Sequence, residues 1–155
     1  MPKKAPDEAI RAATHRLTLE IARPPAAVWK AFTSDIHSWW PKEFYATATP
    51  QRIILETKPG GRLYEDAGNG NGLVWYHVLA IDAPNSITMS GFIAPPFGGP
   101  ATSLLHVAFS DNGKAGALMD VTDSTFGCID EATTAEGWRQ LFEGGFKAWV
   151  ERRKR

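Results

Sequence analysis

The sequence predicts an α+β domain: one antiparallel sheet with helices packed on one of its faces. Three features point to it. Near the carboxyl end, Trp138, Leu141, Phe142, Phe146, Trp149 and Val150 recur at spacings of three and four, the mark of one long amphipathic helix over Thr134–Arg153. Between Gln51 and Ser124, six apolar runs are separated by turn chemistry at meander spacing. Ahead of both, Thr14–Ala22 alternates Leu17, Leu19 and Ile21 with Arg16, Thr18 and Glu20, as a half-buried strand does. A helix stripe with two Trp and two Phe needs a large apolar partner, and the strands supply one.

Residues 1–13 are polar and charged and contain two prolines, so a loose tail or a short helical turn is expected there, with a single domain over 14–155. Arg23-Pro24-Pro25 ends the first strand. Proline is tolerated in the first turn of a helix, and Ala26 to Phe32 continues as one, with Val28, Trp29 and Phe32 on its apolar face. Thr33-Ser34-Asp35 offers a stop and a new cap, so Asp35–Trp40 reads as a second short helix closed by Pro41. Strands follow around Ile53–Leu55, Arg62–Asp66, Leu73–Asp82, Ser86–Ile93, Thr102–Ser110 and Ala115–Ser124. Pro59-Gly60-Gly61, Gly68-Asn69-Gly70-Asn71-Gly72, Pro84-Asn85 and Asp111-Asn112-Gly113 supply their turns. The stretch Ala94–Pro100 is too rich in Pro and Gly for regular structure. Period-two parity turns Leu105, Val107 and Phe109 inward with Ile87, Met89, Met119, Val121 and Asp123, and leaves His106 outside. Both parities are apolar in Leu73–Ile81, so Trp75 and His77 have no assigned side. Gly144-Gly145 sits within the last helix, where each glycine costs about 1 kcal/mol against alanine. Close packing and room for a guest are both open readings of it.

Composition narrows the function. The chain has 155 residues, 43% hydrophobic and 22% charged, with 17 basic and 17 acidic side chains. Zero net charge argues against broad electrostatic binding to nucleic acid or to an anionic membrane. Cys128 stands alone, so no intrachain disulfide can form. No apolar run reaches the roughly 20 residues of a membrane helix. Asp7 and Glu8 follow the first prolines where an apolar signal core would stand, and a cytoplasmic location is expected.

Four stretches carry a family resemblance. They are Ile21–Thr33 with its Pro–x–x–Val–Trp core, Trp39-Trp40-Pro41, Pro59–Glu65 with its Gly-Gly-Arg strand entry, and Trp138–Val150. In this order, over about residues 14–152, the chain resembles the SRPBCC (START-like, helix-grip) superfamily, in its branch similar to the activator of heat-shock-protein ATPase. The resemblance implies a curved antiparallel sheet in the order β-α-α-β6-α, gripping the last helix with a cavity between. Relatives include lipid or hormone carriers, polyketide cyclases and dehydratases, and chaperone co-factors. None of the four motifs is a catalytic signature.

Metal chemistry lacks support: His15, His37, His77, His106 and Cys128 show no close ligand spacing, and His77 and His106 would stand roughly 10 Å apart across an intervening strand. No cofactor is expected. There is no G-x-S-x-G elbow, and Cys128 reads as a small half-buried residue. General acid–base chemistry would fall to Asp123 and His77; the ordinary alternatives are a carboxylate bonded near its strand end and a solvent-facing histidine. Trp39 and Trp40 are adjacent, so one is expected to pack and the other to reach the cavity mouth, with Phe97 as a lid. The expected function is binding of a hydrophobic or aromatic small molecule, lined by Trp40, Trp75, Met89, Phe109, Met119, Trp138, Phe142 and Phe146. The alternatives are a cyclase- or dehydratase-type enzyme and a chaperone-associated interaction module. Expected partners are a hydrophobic small molecule, with a second copy of the chain or a chaperone as further options, and neither nucleic acid nor membrane insertion.

Overall fold

A computed structural model of the chain describes residues 9–153. The first strand, β1 (Arg11–Ile21), leads into α1 (Pro25–Thr33) and the single turn α2 (Ile36–Trp39). Six strands follow: β2 (Arg52–Leu55), β3 (Arg62–Gly68), β4 (Asn71–Asp82), β5 (Ser86–Ile93), β6 (Ala101–Asp111) and β7 (Ala117–Gly127). The closing helix is α3 (Glu131–Arg139), a π-helical stretch Gln140–Lys147, and α4 (Ala148–Arg152). All seven strands form one antiparallel sheet in the order β1-β7-β6-β5-β4-β3-β2. The first strand therefore pairs with the last, at the opposite edge from β2, and α1 with α2 carries the chain from one edge to the other. This is the curved sheet with a gripped helix that the four motifs imply. The tail expected over residues 1–13 lies partly outside the described residues, and β1 begins at Arg11.

Alternation sets the inner face as parity requires. Ile87, Met89, Leu105, Val107, Phe109, Met119 and Val121 are all buried, and His106 is exposed. β4 departs from simple alternation. Leu63 pairs with Tyr76 and Tyr64 with Val74, which leaves Trp75 as the extra residue of a β-bulge. The bulge lets Trp75 and Tyr76 both serve the inner side. His77 then falls on the outer face, exposed, in register with Arg62 and Ser90.

The closing helix differs from expectation at both its start and its middle. Asp130 caps it, its carboxylate accepting the Thr133 amide at 3.0 Å, so the helix starts three residues before Thr134. Its far end is tied to β1: Lys147 Nζ donates to the Glu20 carbonyl at 2.8 Å, and Glu151 accepts the Ala22 amide at 2.9 Å. The wider π turn brings Leu141, Phe142 and Phe146 into the core. The two glycines in it differ. A Cβ on Gly145 would lie 2.9 Å from Pro41 Cγ, whereas one on Gly144 would meet nothing within 4 Å. Gly145 thus permits the helix to close on the Trp40–Pro41 corner, while Gly144 is exposed to solvent. Among the described residues, no helix is long and apolar enough to cross a membrane.

Alanine at these two positions should separate them. Gly144→Ala is expected to raise stability by up to about 1 kcal/mol. Gly145→Ala is expected to lower it, since overpacking of this kind costs about 1–3 kcal/mol. Urea unfolding followed by far-ultraviolet dichroism reads both.

Candidate functional site

Between the closing helix and the sheet lies a space of about 400 Å³. Gly137, Trp138, Leu141 and Phe142 form its helix wall. Phe32 and Ile36 close one side with Trp39 and Trp40, and Leu63, Trp75, Tyr76, Met89 and Leu105 form the floor. Phe97, Phe44 and Thr133 stand at the rim. A second space of about 370 Å³ shares Phe44, Trp75, Tyr76, Phe97 and Trp138 with the first, and adds Glu43, Tyr45 and Ser103.

Phe32 fills the ground beyond. Its ring touches Trp39, Phe109, Phe142 and Phe146, with centroids 5.5 to 6.2 Å apart. That end is solid. At the other end Gly137 contributes no side chain, and a methyl built on it would meet nothing within 4 Å. Packing on one side and a missing side chain on the other leave the space where it is.

Polar groups at its edge are few and tightly held. Asp123, only 1% exposed, accepts from Ser103 Oγ at 2.5 Å and, through its second oxygen, from the Trp138 indole at 2.6 Å. Tyr76 Oη lies 2.7 Å from Ser103 Oγ. Burial, and then the Asp123 charge, push the Tyr76 phenol well above its ordinary range, while the Ser103 hydrogen bond pulls the other way. Glu65, also 1% exposed, accepts the amides of Ala46 and Thr47 at 2.6 and 3.0 Å and the Trp75 indole at 2.9 Å. It pins the segment after Phe44 and the Trp75 ring to the floor. Burial first, and Glu65 second, raise the Tyr45 phenol too. The Trp40 indole N–H is buried without a partner.

Of the residues expected to line a cavity, Trp40, Trp75, Met89, Trp138 and Phe142 border the first space. Phe109 and Phe146 are instead packed against Phe32 of α1 in the solid core, and Met119 is fully buried there. Trp39 and Trp40 both turn inward. Trp39 ends α2, while Trp40 has extended backbone (φ −60°, ψ 120°), so the helical angle between neighbours does not apply. Trp39 donates its indole hydrogen to the Ala31 carbonyl at 2.8 Å, and the Trp40 ring meets Trp75. The Asp123–His77 pair does not form: the bulge at Trp75 puts His77 on the outer face, and both oxygens of Asp123 are already taken. Phe97 sits at the rim of both spaces. Cys128 is a half-buried free thiol. Among the described residues, no three His, Cys, Asp or Glu side chains gather as metal ligands would.

Tyr76, Ser103, Glu65 and Gly137 were not singled out from sequence as site residues, and Phe32 was read only as part of an apolar helix face. Ser103 shares the parity of Leu105 and Val107, and Glu65 that of Leu63, so inward placement of both was available from alternation. Gly137 carries no signal that separates it from any other helical glycine.

The sequence model of the family described as Activator of Hsp90 ATPase homolog 1-like protein matches residues 22–151. Comparison with curated protein sequences gives no match. Among solved structures, the chain is similar to an uncharacterised protein from Rhizobium leguminosarum (18% identity, 94% of this chain and 98% of that one, TM-score 0.69). It is also similar to Ara h 8.0201 (16% identity, 92% and 100%, TM-score 0.66). CalU16 from Micromonospora echinospora is a further likeness (16% identity, 92% and 86%, TM-score 0.59). Likeness at these identities concerns the fold.

The Tyr76 phenol sets a pH dependence. Above its ordinary pKa the unfolded chain ionises this tyrosine while the folded chain keeps it protonated. The unfolded state then binds fewer protons, so stability falls as pH rises above about 10, by about 1.4 kcal/mol per pH unit for one such group. Denaturant unfolding across that range should show a steeper fall for the wild type than for Tyr76→Phe. Equal slopes would mean that the folded phenol ionises freely.

Proposed function

The chain belongs to the Activator of Hsp90 ATPase homolog 1-like family, within the SRPBCC superfamily, and on that premise we propose that it binds a neutral apolar or aromatic small molecule in the space beneath Gly137. The observation that carries the reading is that space itself. Its volume of about 400 Å³ falls in the range of ligand pockets, and its walls are almost wholly aliphatic and aromatic. Trp40, Trp75 and Trp138 stand in the wall, so a guest there would alter indole emission. A cytoplasmic location is part of the same reading.

A second reading, docking to a protein partner such as a chaperone, draws on the outer face of the sheet. Phe92 and Phe126 are 74% and 48% exposed there, on either side of Thr102 in register. Large apolar residues gathered on a soluble surface are a mark of interaction sites. Acid–base catalysis by Asp123 with His77 has no such support, since the two lie on opposite faces and Asp123 is sealed.

Titration with an environment-sensitive apolar dye tests the first reading. Saturable binding is expected, lost by at least about tenfold in Gly137→Phe, which fills the space. Thermal stability of that variant should be no lower than the wild type's, because it replaces a helical glycine. Absence of saturable binding, or equal binding by the variant, would overturn the reading. Phe92→Asp with Phe126→Asp should leave dye binding intact; loss of co-purification with a chaperone in that variant alone would favour the second reading.

A further inference from the structure

The polar corner shared by the two spaces has a fixed direction. Asp123 as a carboxylate holds no hydrogen, so the Ser103 hydroxyl must donate to it across their 2.5 Å contact. A serine has one hydroxyl hydrogen. With that one committed, the 2.7 Å contact to Tyr76 runs the other way, with Tyr76 donating and Ser103 accepting. The Trp138 indole hydrogen is likewise committed to Asp123. Every side-chain hydrogen of this corner therefore points towards Asp123 and away from the cavity.

Tyr76 and Ser103 both border the second space, and Tyr76 the first as well. What the Tyr76 oxygen can offer a guest is a lone pair and nothing else. We propose that the cavity selects a neutral molecule with an apolar body and a hydroxyl group, a phenol or an alcohol, whose hydrogen is donated to Tyr76 Oη. An ether or ketone oxygen set against Tyr76 Oη would place an acceptor against an acceptor. A carboxylate would bring a second negative charge towards buried Asp123, in surroundings that screen charge poorly. Burial keeps the Tyr76 phenol protonated, so the direction of the chain does not reverse near neutral pH. This selection rests on the apolar-ligand reading and adds the chemistry of the head group.

Three probes of one body separate the cases: 2-naphthol, 2-methoxynaphthalene and 2-naphthoate, each displacing the apolar dye from the full chain at neutral pH. The wild type should take the naphthol about tenfold more tightly than its methyl ether, as one well-placed hydrogen bond allows. The naphthoate should bind most weakly. Ser103→Ala frees the Tyr76 hydrogen to point into the cavity, so the gap between naphthol and ether, each taken relative to unsubstituted naphthalene in the same protein, should close or invert. That reversal separates a recognition role from loss of packing; dichroism and melting temperature check that the variant is folded. Equal displacement by naphthol and ether in the wild type, strongest displacement by the naphthoate, or no displacement of a dye that itself binds would overturn the head-group assignment alone. A dye that does not bind at all would overturn it together with the apolar reading.

Discussion

One carboxylate joins the two halves of this molecule. Asp123 sits on β7 among apolar side chains and takes a hydroxyl from β6 and an indole from α3. Hydrogen bonds to an ionised group are worth about 1.5–3 kcal/mol, and a buried charge left unpaired costs more than that. The helix therefore has one favoured place over the sheet, set at Trp138. The rest of the wall follows from it. The Trp138 ring lies nearly parallel to Phe142, with centroids 5.3 Å apart, and meets Tyr76 at 6.4 Å. Once Trp138 is fixed, the aromatic surface of the π stretch faces the floor.

A gap between packed elements is normally closed by its walls, since close packing is favoured. Here polar anchors hold the walls apart. Asp123 fixes the helix, and Glu65 fixes the Trp75 ring and the backbone at Ala46 and Thr47 on the far rim. Neither anchor can move inward without leaving donors unmet. Phe32 packs the other end so fully that the empty volume cannot spread in that direction. The same arrangement limits chemistry. Asp123 is 1% exposed and each of its oxygens already accepts a hydrogen bond, so it acts as a strut, whereas a group that moves protons must be within reach of the reacting atom.

Much of this architecture was legible in the sequence, and the exceptions have specific causes. Leu105, Val107 and Phe109 alternate with polar neighbours, and the stripe from Trp138 to Val150 keeps helical spacing, so strand faces and the buried helix face could be read directly. Trp75 could not be placed because both parities of its strand are apolar and a bulge decides between them. Trp40 turned inward because the backbone leaves the helix one residue earlier than expected. The division between lining and core was invisible. Met89 and Met119 have the same parity and the same burial, but only the first lies beneath the gap. Gly144-Gly145 drew attention by being a pair, while the single Gly137 bears on the empty volume.

The pairing of β1 with β7 orders events during synthesis. Thr14 and Ser124, which face each other across that pair, stand 110 positions apart. A ribosome must make nearly the whole sheet before β1 has a neighbour, whereas β2 to β6 can zip as successive hairpins soon after each strand emerges. Until then the strand from Arg11 to Ile21 has its backbone donors and acceptors open. Its charged and hydroxylated outer side, with Arg16, Thr18 and Glu20, is suited to that interval, because such residues discourage edge-to-edge association with other nascent chains.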